Sequence, residues 1–320
     1  IGRGAEKGIL IREASALEMA RKIDTIILDK TGTLTQGKPT VTDIVIKDES
    51  SKFTILQAAA SLEQKSEHPL GRAIIQAAAS LGQKSSHPLD RAIKVEAKDL
   101  TLFEVTDFEA IPGKGIRGHL TANNQKVLTA LGNRELVKLF GLDSQTVEAQ
   151  MQKLEAEGKT VVTLIQNNQI SGLIAIADVL KPESKLAIEQ LKKSGLEIWM
   201  LTGDNGRTAQ AIAKQVGITN IMAQVLPQNK VAKVAELQKQ NKKVAMVGDG
   251  INDAPALAQA DLGIAMGEGT DIAMESAGVT LMRGDLKLIP ELFNLSRRTL
   301  RIVKQNLFWA FFYNSAFIPV

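Results

Sequence analysis

Short apolar runs recur along the chain, and several end at a polar or charged residue. The clearest occupy 25–28, 197–201 and 243–247. Runs with no polar face are typical of strands that are buried on both sides of a sheet. Segments with helical periodicity, such as 207–215, lie between them, and this alternation predicts a parallel, doubly wound α/β sheet. Open sheets of this class place their chemistry at the carboxyl ends of the strands.

The region from 38 to 172 follows a different pattern. Gly37 and Pro39 interrupt the first pattern, and 41–46 then alternates apolar and polar residues like a half-buried strand. Two alanine-rich helical stretches and further short strands follow. The sequence therefore predicts an inserted second domain. The predicted boundaries are 1–37 and 173–295 for the first domain, 38–172 for the insert and 296–320 for a C-terminal segment.

Composition narrows the function classes. The chain is 44% hydrophobic and 23% charged, as is usual for a globular protein, and it has no cysteine, which excludes disulfides and a thiolate metal site within these residues. One dense basic group precedes the apolar, aromatic stretch 306–320. That order favours the cytoplasmic flank of a transmembrane helix over a nucleic-acid patch, although the length of the stretch also fits a buried core helix. The basic group comprises Arg297, Arg298, Arg301 and Lys304.

The strand at 25–28 is followed directly by Asp29, Lys30 and two threonines. A carboxylate among cationic and hydroxyl groups suits a nucleophile that accepts a phosphoryl group, whereas a single aspartate after a strand is more often a helix cap. The complete string from Asp29 to Thr35, Asp-Lys-Thr-Gly-Thr-Leu-Thr, resembles the phosphorylation signature of P-type ATPases in the haloacid dehalogenase-like superfamily. The resemblance implies that Asp29 forms an aspartyl phosphate.

Thr31 bears on the fate of that intermediate. Phosphatases of the superfamily usually have a second aspartate at this position, which acts as the acid and base for breaking the aspartyl phosphate. A threonine cannot act as a general base near neutral pH. We therefore expect the acyl phosphate to persist, as an energy-coupling intermediate must.

An aspartate that attacks a γ-phosphate needs a divalent cation and a fixed lysine to offset the repulsion between anions. Asp29 and Asp249 offer Mg²⁺ two hard oxygen ligands, and the resemblance adds the backbone carbonyl of Thr31. Lys230 is the predicted cation for the transferring phosphoryl group. The other predicted catalytic residues are Lys30, Thr202, Gly203, Asp204, Asn252 and Asp253.

The stretch Ser66-Glu67-His68-Pro69-Leu70 resembles the nucleotide-domain signature of the heavy-metal-transporting branch of P-type ATPases. In that branch the histidine and a preceding glutamate help to hold adenine, which implicates His68 and Glu63. A near repeat around His87 lacks the equivalent glutamate and glycine, so we assign the function to His68. Later turns resemble further nucleotide contacts at Gly113, Gly115, Ile116, Gly132 and Asn133.

Polar residues inside an apolar membrane segment are costly and usually functional. Asn306, Tyr313 and Asn314 resemble a motif of the Cu(I)-transporting subgroup, whereas the zinc and cadmium subgroup tends to have a lysine near this point. The alternative is that Tyr313 anchors a helix at the interface and Asn314 bonds a neighbouring helix.

These resemblances imply an α/β chain in which a haloacid dehalogenase-like phosphorylation domain is split by an α+β nucleotide-binding domain, an antiparallel sheet flanked by helices. The chain is expected to bind ATP and Mg²⁺ and to act on the cytoplasmic side of an integral membrane protein that transports Cu(I). The implied partners are the rest of the same pump, including its actuator domain and metal-site helices, and a copper chaperone. Nucleic acid is not an expected partner.

Three alternatives stay open at this point. The first is the same portion of a zinc or cadmium pump. The second is a soluble haloacid dehalogenase-like phosphatase, which Thr31 and the inserted domain disfavour. The third is a non-catalytic nucleotide sensor, which the intact Asp29, Lys230 and Asp249 disfavour. The chain has no Thr-Gly-Glu motif of the kind that actuator domains use for dephosphorylation, so alone it is expected to bind ATP but to turn over slowly or not at all.

Overall fold

The structure is a computed structural model that describes residues 2–47, 52–66, 68, 70–76, 102–122, 125–249, 253–267 and 276–317. The chain divides into two compact units. The split unit comprises Ile1–Gly37 and Leu180–Val320, and the inserted unit comprises Lys38–Val179.

The split unit is built on a seven-stranded sheet. Its strands are β1 (Ile9–Ile11), β2 (Thr25–Asp29), β9 (Glu197–Leu201), β10 (Asn220–Met222), β11 (Val244–Gly248), β12 (Leu262–Met266) and β13 (Val279–Leu281). The strands lie in the order β1-β13-β12-β11-β2-β9-β10. All neighbours are parallel except β1, which pairs antiparallel with β13 at one edge. The predicted parallel sheet is therefore confirmed, with β2 near its middle.

Strand β2 is buried on both faces, as its apolar run predicts. Ile26 and Leu28 belong to one apolar cluster and Ile27 to another, because successive side chains of a strand point to opposite faces. Helices on both sides of the sheet complete these clusters. The helices of this unit are α1 (Gly2–Glu6), α2 (Ala14–Lys22), α6 (Ser184–Lys193), α7 (Gly206–Val216), α8 (Lys230–Lys239), α9 (Ala254–Gln259) and α10 (Leu288–Phe317).

The inserted unit is an antiparallel sheet with helices on both faces. Its elements include β3 (Thr40–Ile46), α3 (Lys52–Glu63), β4 (Glu104–Ile111), β5 (Gly115–Ala122), β6 (Gln125–Gly132), α4 (Arg134–Leu139), α5 (Gln145–Ala156), β7 (Thr160–Gln166) and β8 (Gln169–Ala177), and residues 70–76 are also helical. The strand order is β3-β8-β7-β6-β5-β4. One face packs against α3 and the other against α4 and α5. The α+β architecture expected for the insert is confirmed.

The second boundary of the insert requires a correction. The sequence-based boundary between 172 and 173 falls inside β8, which pairs with β7 as far as Ile176 and with β3 as far as Ala177. Because β8 is bonded on both sides within the inserted unit, its last residues belong to that unit. The two compact units meet instead between Val179 and Leu180.

A buried ion pair joins the two helices on one face of the inserted unit. Arg134, at the start of α4, donates to Glu148 and Glu155 of α5, and the Glu155 side chain is fully buried. Removing one member of a buried pair leaves the other poorly compensated.

We expect Glu155→Ala to lower the free energy of unfolding by about 2 kcal/mol, less than for a fully enclosed pair because Arg134 keeps Glu148 and some solvent contact. Glu148→Ala is the matched control, with an expected loss of about 1 kcal/mol, since Glu148 is partly exposed. Urea unfolding with hydrogen exchange at α4 and α5 measures both. Equal losses would show that burial of Glu155 adds nothing.

Candidate active site

Asp29 is the last residue of β2 and is 5% exposed. The tight turn Lys30–Leu34 follows it, and the backbone N–H of Thr31 donates to Asp29 Oδ2 at 3.0 Å. Thr35 closes the turn, because its hydroxyl donates to the Lys30 carbonyl and accepts from the Gly32 N–H. The loop after the predicted nucleophile is thus fixed by its own hydrogen bonds.

The strand order places Asp29 at a point where the chain changes direction across the sheet. From β2 the chain continues to β9 and β10 on one side, and it then crosses to β11 on the other side. Ligands of open α/β sheets bind at the carboxyl ends of strands beside such a switch point. Asp29 lies there between Thr202, which follows β9, and Asp249, which follows β11.

Three carboxyl groups converge at this edge. Asp29, Asp249 and Asp253 each offer an oxygen atom within 4.8 Å of the others. Gly32 makes the approach of Asp249 feasible, since a Cβ atom there would lie 1.5 Å from Asp249 Oδ2, and its φ of +71° also favours glycine. The sequence predicted all three aspartates for one site, and the structure brings them together.

Lys230 bridges two of these carboxylates. Its Nζ donates to Asp29 Oδ1 at 2.7 Å and to Asp253 Oδ1 at 2.6 Å. The lysine begins α8 directly after the turn Pro227–Asn229, so its backbone is fixed beside the cluster. Burial lowers the pKa of Lys230, but attraction to the two aspartates outweighs it and raises the pKa above its ordinary value. The ammonium is therefore charged.

The cluster holds more negative charge than Lys230 offsets. Burial, followed by repulsion from Asp253, raises the pKa of Asp29 to about 7, although Lys230 lowers it. Burial and the same aspartate raise the pKa of Asp249 to about 6. Carboxylate oxygens are the ligands that Mg²⁺ prefers, and a divalent cation would relieve this repulsion. These residues therefore fit a magnesium site.

A second ion pair lies beside the first. Lys30 Nζ donates to Asp204 Oδ2 at 2.5 Å, and both side chains are largely buried. The Thr202 hydroxyl donates to the same oxygen at 3.1 Å and also accepts from the Asp204 N–H. Gly203 lies in this turn. The sequence left open whether Lys30 faces a nucleotide, and in the structure its charge is paired with Asp204.

Sequence reasoning missed Lys181. Its Nζ donates to the carbonyl oxygens of Gly32 at 2.8 Å and Gly284 at 2.9 Å, so it ties the loop after Asp29 to the loop after β13. Ser184 supports the same loop through its hydroxyl, which donates to the Leu34 carbonyl at 2.7 Å. The signal available in the sequence was a lysine beside Pro182, at the hinge back into the first domain.

Two predicted nucleotide residues, Glu63 and His68, lie in the inserted unit. Glu63 ends α3 and is 8% exposed, and its Oε2 has no hydrogen-bond partner among the described residues. Burial raises the pKa of Glu63, while a hydrogen bond with Ser66 lowers it. His68 is exposed, and its Nδ1 accepts from the Leu70 N–H at 3.2 Å.

The other predicted nucleotide residues have structural roles that the sequence did not predict. Gly115 and Gly132 face each other across β5 and β6, so their missing side chains allow close approach of the strands. Ile116 is buried in the core beneath α3. Asn133 caps α4 and also donates to the Gly113 carbonyl at 2.8 Å, which holds that turn in place.

Several sequence-based assignments cannot be compared with the fold. Asn252, His87 and the side chain of Asn314 lie outside the described residues. Asn306 and Tyr313 lie on α10, seven residues apart and exposed, so they share one side of the helix. Within the described ranges, no helix combines the length and apolar character that crossing a membrane requires.

Comparison with known proteins places this site in a family. The profile of the family described as "Hydrolase: haloacid dehalogenase-like hydrolase" matches residues 23–261. The chain is 48% identical over 320 residues to "Probable copper-transporting ATPase PacS" of Synechococcus elongatus, covering 100% of the chain and 40% of that protein. It is 47% identical over 319 residues to the "Copper-exporting P-type ATPase" of Bacillus subtilis, covering 100% of the chain and 37% of that protein. The chain thus spans well under half the length of these relatives.

Two solved structures of P-type ATPases are also similar to this chain over more than nine-tenths of its length. A zinc-transporting PIB-type ATPase in an E2.Pi state matches 99% of this chain with a TM-score of 0.66 and 34% identity, over 48% of its own length. The catalytic domain of the CPx-ATPase CopB-B matches 91% of this chain and 96% of its own, with a TM-score of 0.66 and 30% identity. The chain belongs to the haloacid dehalogenase-like hydrolase family and, within it, to the catalytic portions of PIB-type P-type ATPases.

Proposed function

We propose that the chain is the ATP-binding, autophosphorylating portion of a Cu(I)-transporting P-type ATPase, with Asp29 as the residue that is phosphorylated. The observation that supports this most directly is the buried cluster in which Lys230 bridges Asp29 and Asp253 beside Asp249. A carboxylate held beside a fixed ammonium, at the switch point of an open sheet, is suited to in-line attack on a phosphoryl group.

In the proposed reaction, a carboxylate oxygen of Asp29 attacks the γ-phosphorus of ATP, the bond to the β-phosphate oxygen breaks, and ADP leaves. Lys230 neutralises charge on the transferring group, and the Thr202–Gly203 turn offers a hydroxyl and backbone N–H groups. Mg²⁺, held by Asp29, Asp249 and the Thr31 carbonyl, would screen the repulsion between phosphate and carboxylate. Thr31 offers no general base, so the acyl phosphate would persist.

The inserted unit is proposed to bind the adenine through Glu63 and His68. Glu63 is buried, and its Oε2, for which the described residues offer no hydrogen-bond partner, needs one. A carboxyl group with a raised pKa donates as well as accepts hydrogen bonds when it is protonated, which suits the polar edge of a purine. Gly113 and Asn133 would then shape the neighbouring turn rather than hold the base directly.

Copper is the proposed ion because two relatives at 47–48% identity are named for copper, whereas the zinc-transporting structure is 34% identical. Asn306, Tyr313 and Asn314 would contribute to the transport path. The parent protein would be an integral membrane protein with this portion on the cytoplasmic side. Its proposed partners are its own membrane helices and actuator domain, together with a copper chaperone.

Phosphoenzyme formation in the parent protein tests the proposal. We expect acid-stable label from γ-labelled ATP that requires Cu(I) and is abolished by Asp29→Asn. Asp24→Asn is the matched control, since Asp24 lies just before the amino end of the same strand, and it should retain label.

Three other results would contradict parts of this proposal. Phosphoenzyme label that requires Zn²⁺ would show that the transported ion is zinc rather than copper, and the assignment as a P-type ATPase would stand. Rapid steady-state hydrolysis by the 320-residue chain alone would favour a phosphatase, and ATP binding without label would favour a nucleotide sensor.

Lys181→Met should slow phosphoenzyme formation roughly 10–100-fold, because a loop that loses its support misplaces the nucleophile. Lys181→Arg should recover part of the rate, since it keeps the donors to the Gly32 and Gly284 carbonyls. Lys185→Met, an exposed lysine on α6, is the control. Rapid-quench labelling gives the rate, and nucleotide affinity should stay unchanged in all three variants. If Lys181→Met forms the phosphoenzyme at the native rate, Lys181 does not position the loop after Asp29.

Glu63→Ala should weaken ATP binding about tenfold through the loss of a buried hydrogen bond, whereas Glu63→Gln should bind close to normally. The raised pKa of Glu63 also predicts how ATP affinity depends on pH. If the protonated carboxyl binds adenine, affinity falls as pH rises through that pKa in the native chain but not in Glu63→Gln. Calorimetric titration with ATP at several pH values measures this. Equal losses in both variants would show that the carboxylate form is required instead.

A further inference from the structure

A basic cavity of about 430 Å³ lies between α2 and α10 in the split unit. Its lining includes four cations and two aromatic side chains, and among the described residues no carboxylate lines it. We call it the basic cavity. These lining residues are Arg21, Arg297, Arg301, Lys304, Phe308 and Trp309.

Packing between the two helices forms the basic cavity. The Ser296 hydroxyl donates to the Leu17 carbonyl at 2.5 Å, which fixes α10 against α2. Arg21 lies one turn beyond Leu17 on the same side of α2. Arg297 and Arg301 lie one and five residues beyond Ser296, so the chain brings cations from two separate helices to one place.

The cations of α10 form a single stripe. Arg301 and Lys304 follow Arg297 by four and seven residues, a spacing that puts side chains on the same face of a helix. All three are exposed, as is Arg21. Four like charges around one concave surface repel each other, and an anion placed among them relieves that repulsion. Arginine binds phosphate oxygens through paired hydrogen bonds, which makes phosphate the best-matched anion.

The aromatic side chains indicate where that phosphate comes from. Phe308 and Trp309 are 61% and 53% exposed, and their rings meet edge to face at 5.5 Å. Phe311 and Phe312 extend this exposed apolar surface along α10. Tryptophan is enriched where membrane meets water, and basic groups just outside a membrane segment attract anionic lipids. A ligand with an anionic head and an apolar tail matches both parts of this surface.

We propose that the basic cavity binds the phosphate headgroup of an anionic phospholipid. The inference rests on the proposed function, in which α10 leads into the membrane. The headgroup would contact both α2 and α10, so the lipid would hold the split unit at a fixed depth and orientation at the membrane surface.

Vesicle flotation of the 320-residue chain tests this at constant ionic strength. The probes are vesicles of phosphatidylcholine alone and of phosphatidylcholine mixed with phosphatidylglycerol. The triple variant Arg21→Gln/Arg297→Gln/Arg301→Gln should lose roughly 100-fold in affinity for the anionic vesicles, at about fivefold per cation, and keep its affinity for the neutral ones.

Two matched controls separate the basic cavity from diffuse surface charge. Lys126→Gln/Lys214→Gln/Lys239→Gln removes the same charge at exposed positions elsewhere and should leave the anionic preference nearly intact. Arg298→Gln changes the neighbour of Arg297 outside the lining and should have a smaller effect than Arg297→Gln. The unfolding midpoint of every variant should match the native chain, because these side chains are exposed.

The proposal fails if the native chain binds both vesicles equally, or if the two triple variants lose affinity equally. It also fails if inorganic phosphate binds the native chain more tightly than the triple variant in calorimetric titration while the native chain shows no preference for anionic vesicles, since the ligand would then be soluble phosphate. If Asp29 is phosphorylated but the chain does not prefer anionic vesicles, only the proposed headgroup site is refuted. If the chain prefers anionic vesicles but Asp29 is not phosphorylated, the proposed function is refuted and the headgroup site is supported.

Discussion

Mutual repulsion among three carboxyl groups, two of them buried and one half-buried, is the constraint around which the split unit is organised. Asp29, Asp249 and Asp253 share one small volume, and burial makes their charges more costly than in water. Lys230 offsets part of this repulsion, while burial first and repulsion from Asp253 second raise the pKa values of Asp29 and Asp249. Such a site attracts a divalent cation and repels bare phosphate. In the proposed function, ATP therefore enters with its Mg²⁺.

The fold holds these groups in place although the insert interrupts the chain. The two ends of the split unit meet where Thr35 pairs with Leu180, and Lys181 then reaches the Gly32 carbonyl. The loop after the nucleophile is thus held by residues that follow the whole insert. In the inserted unit, the first strand β3 pairs with the last strand β8, so both ends of the insert belong to one sheet. An insertion at this point leaves the sheet beneath Asp29 intact.

Features that depend on strand order and residue type could be predicted from the sequence. Asp29, Thr202 and Asp249 each follow an apolar run, and parallel strands bring such residues to one edge. Lys181 could not be found in this way, because its place beside Pro182 indicates a hinge but not a lysine that donates to distant backbone carbonyls. The boundary at 172 was wrong because the apolar run of β8 looks the same in either sheet. Asn133 was assigned to the nucleotide, and the sequence did not predict that its side-chain oxygen also caps α4.

The phosphorylation site and the C-terminal helix share one apolar cluster. Ile26 and Leu28 precede Asp29 on β2, and they belong to the same cluster as Leu292 and Phe293 of α10. Protein cores are packed as densely as organic crystals, so neighbouring elements move together rather than deform independently. In the proposed function, a shift of β2 on phosphorylation would change the packing of this cluster, to which α10 contributes on the side that precedes its exposed aromatic surface and basic cavity. The cluster is thus the packed connection through which chemistry at Asp29 would reach α10 and, in the proposed function, the membrane.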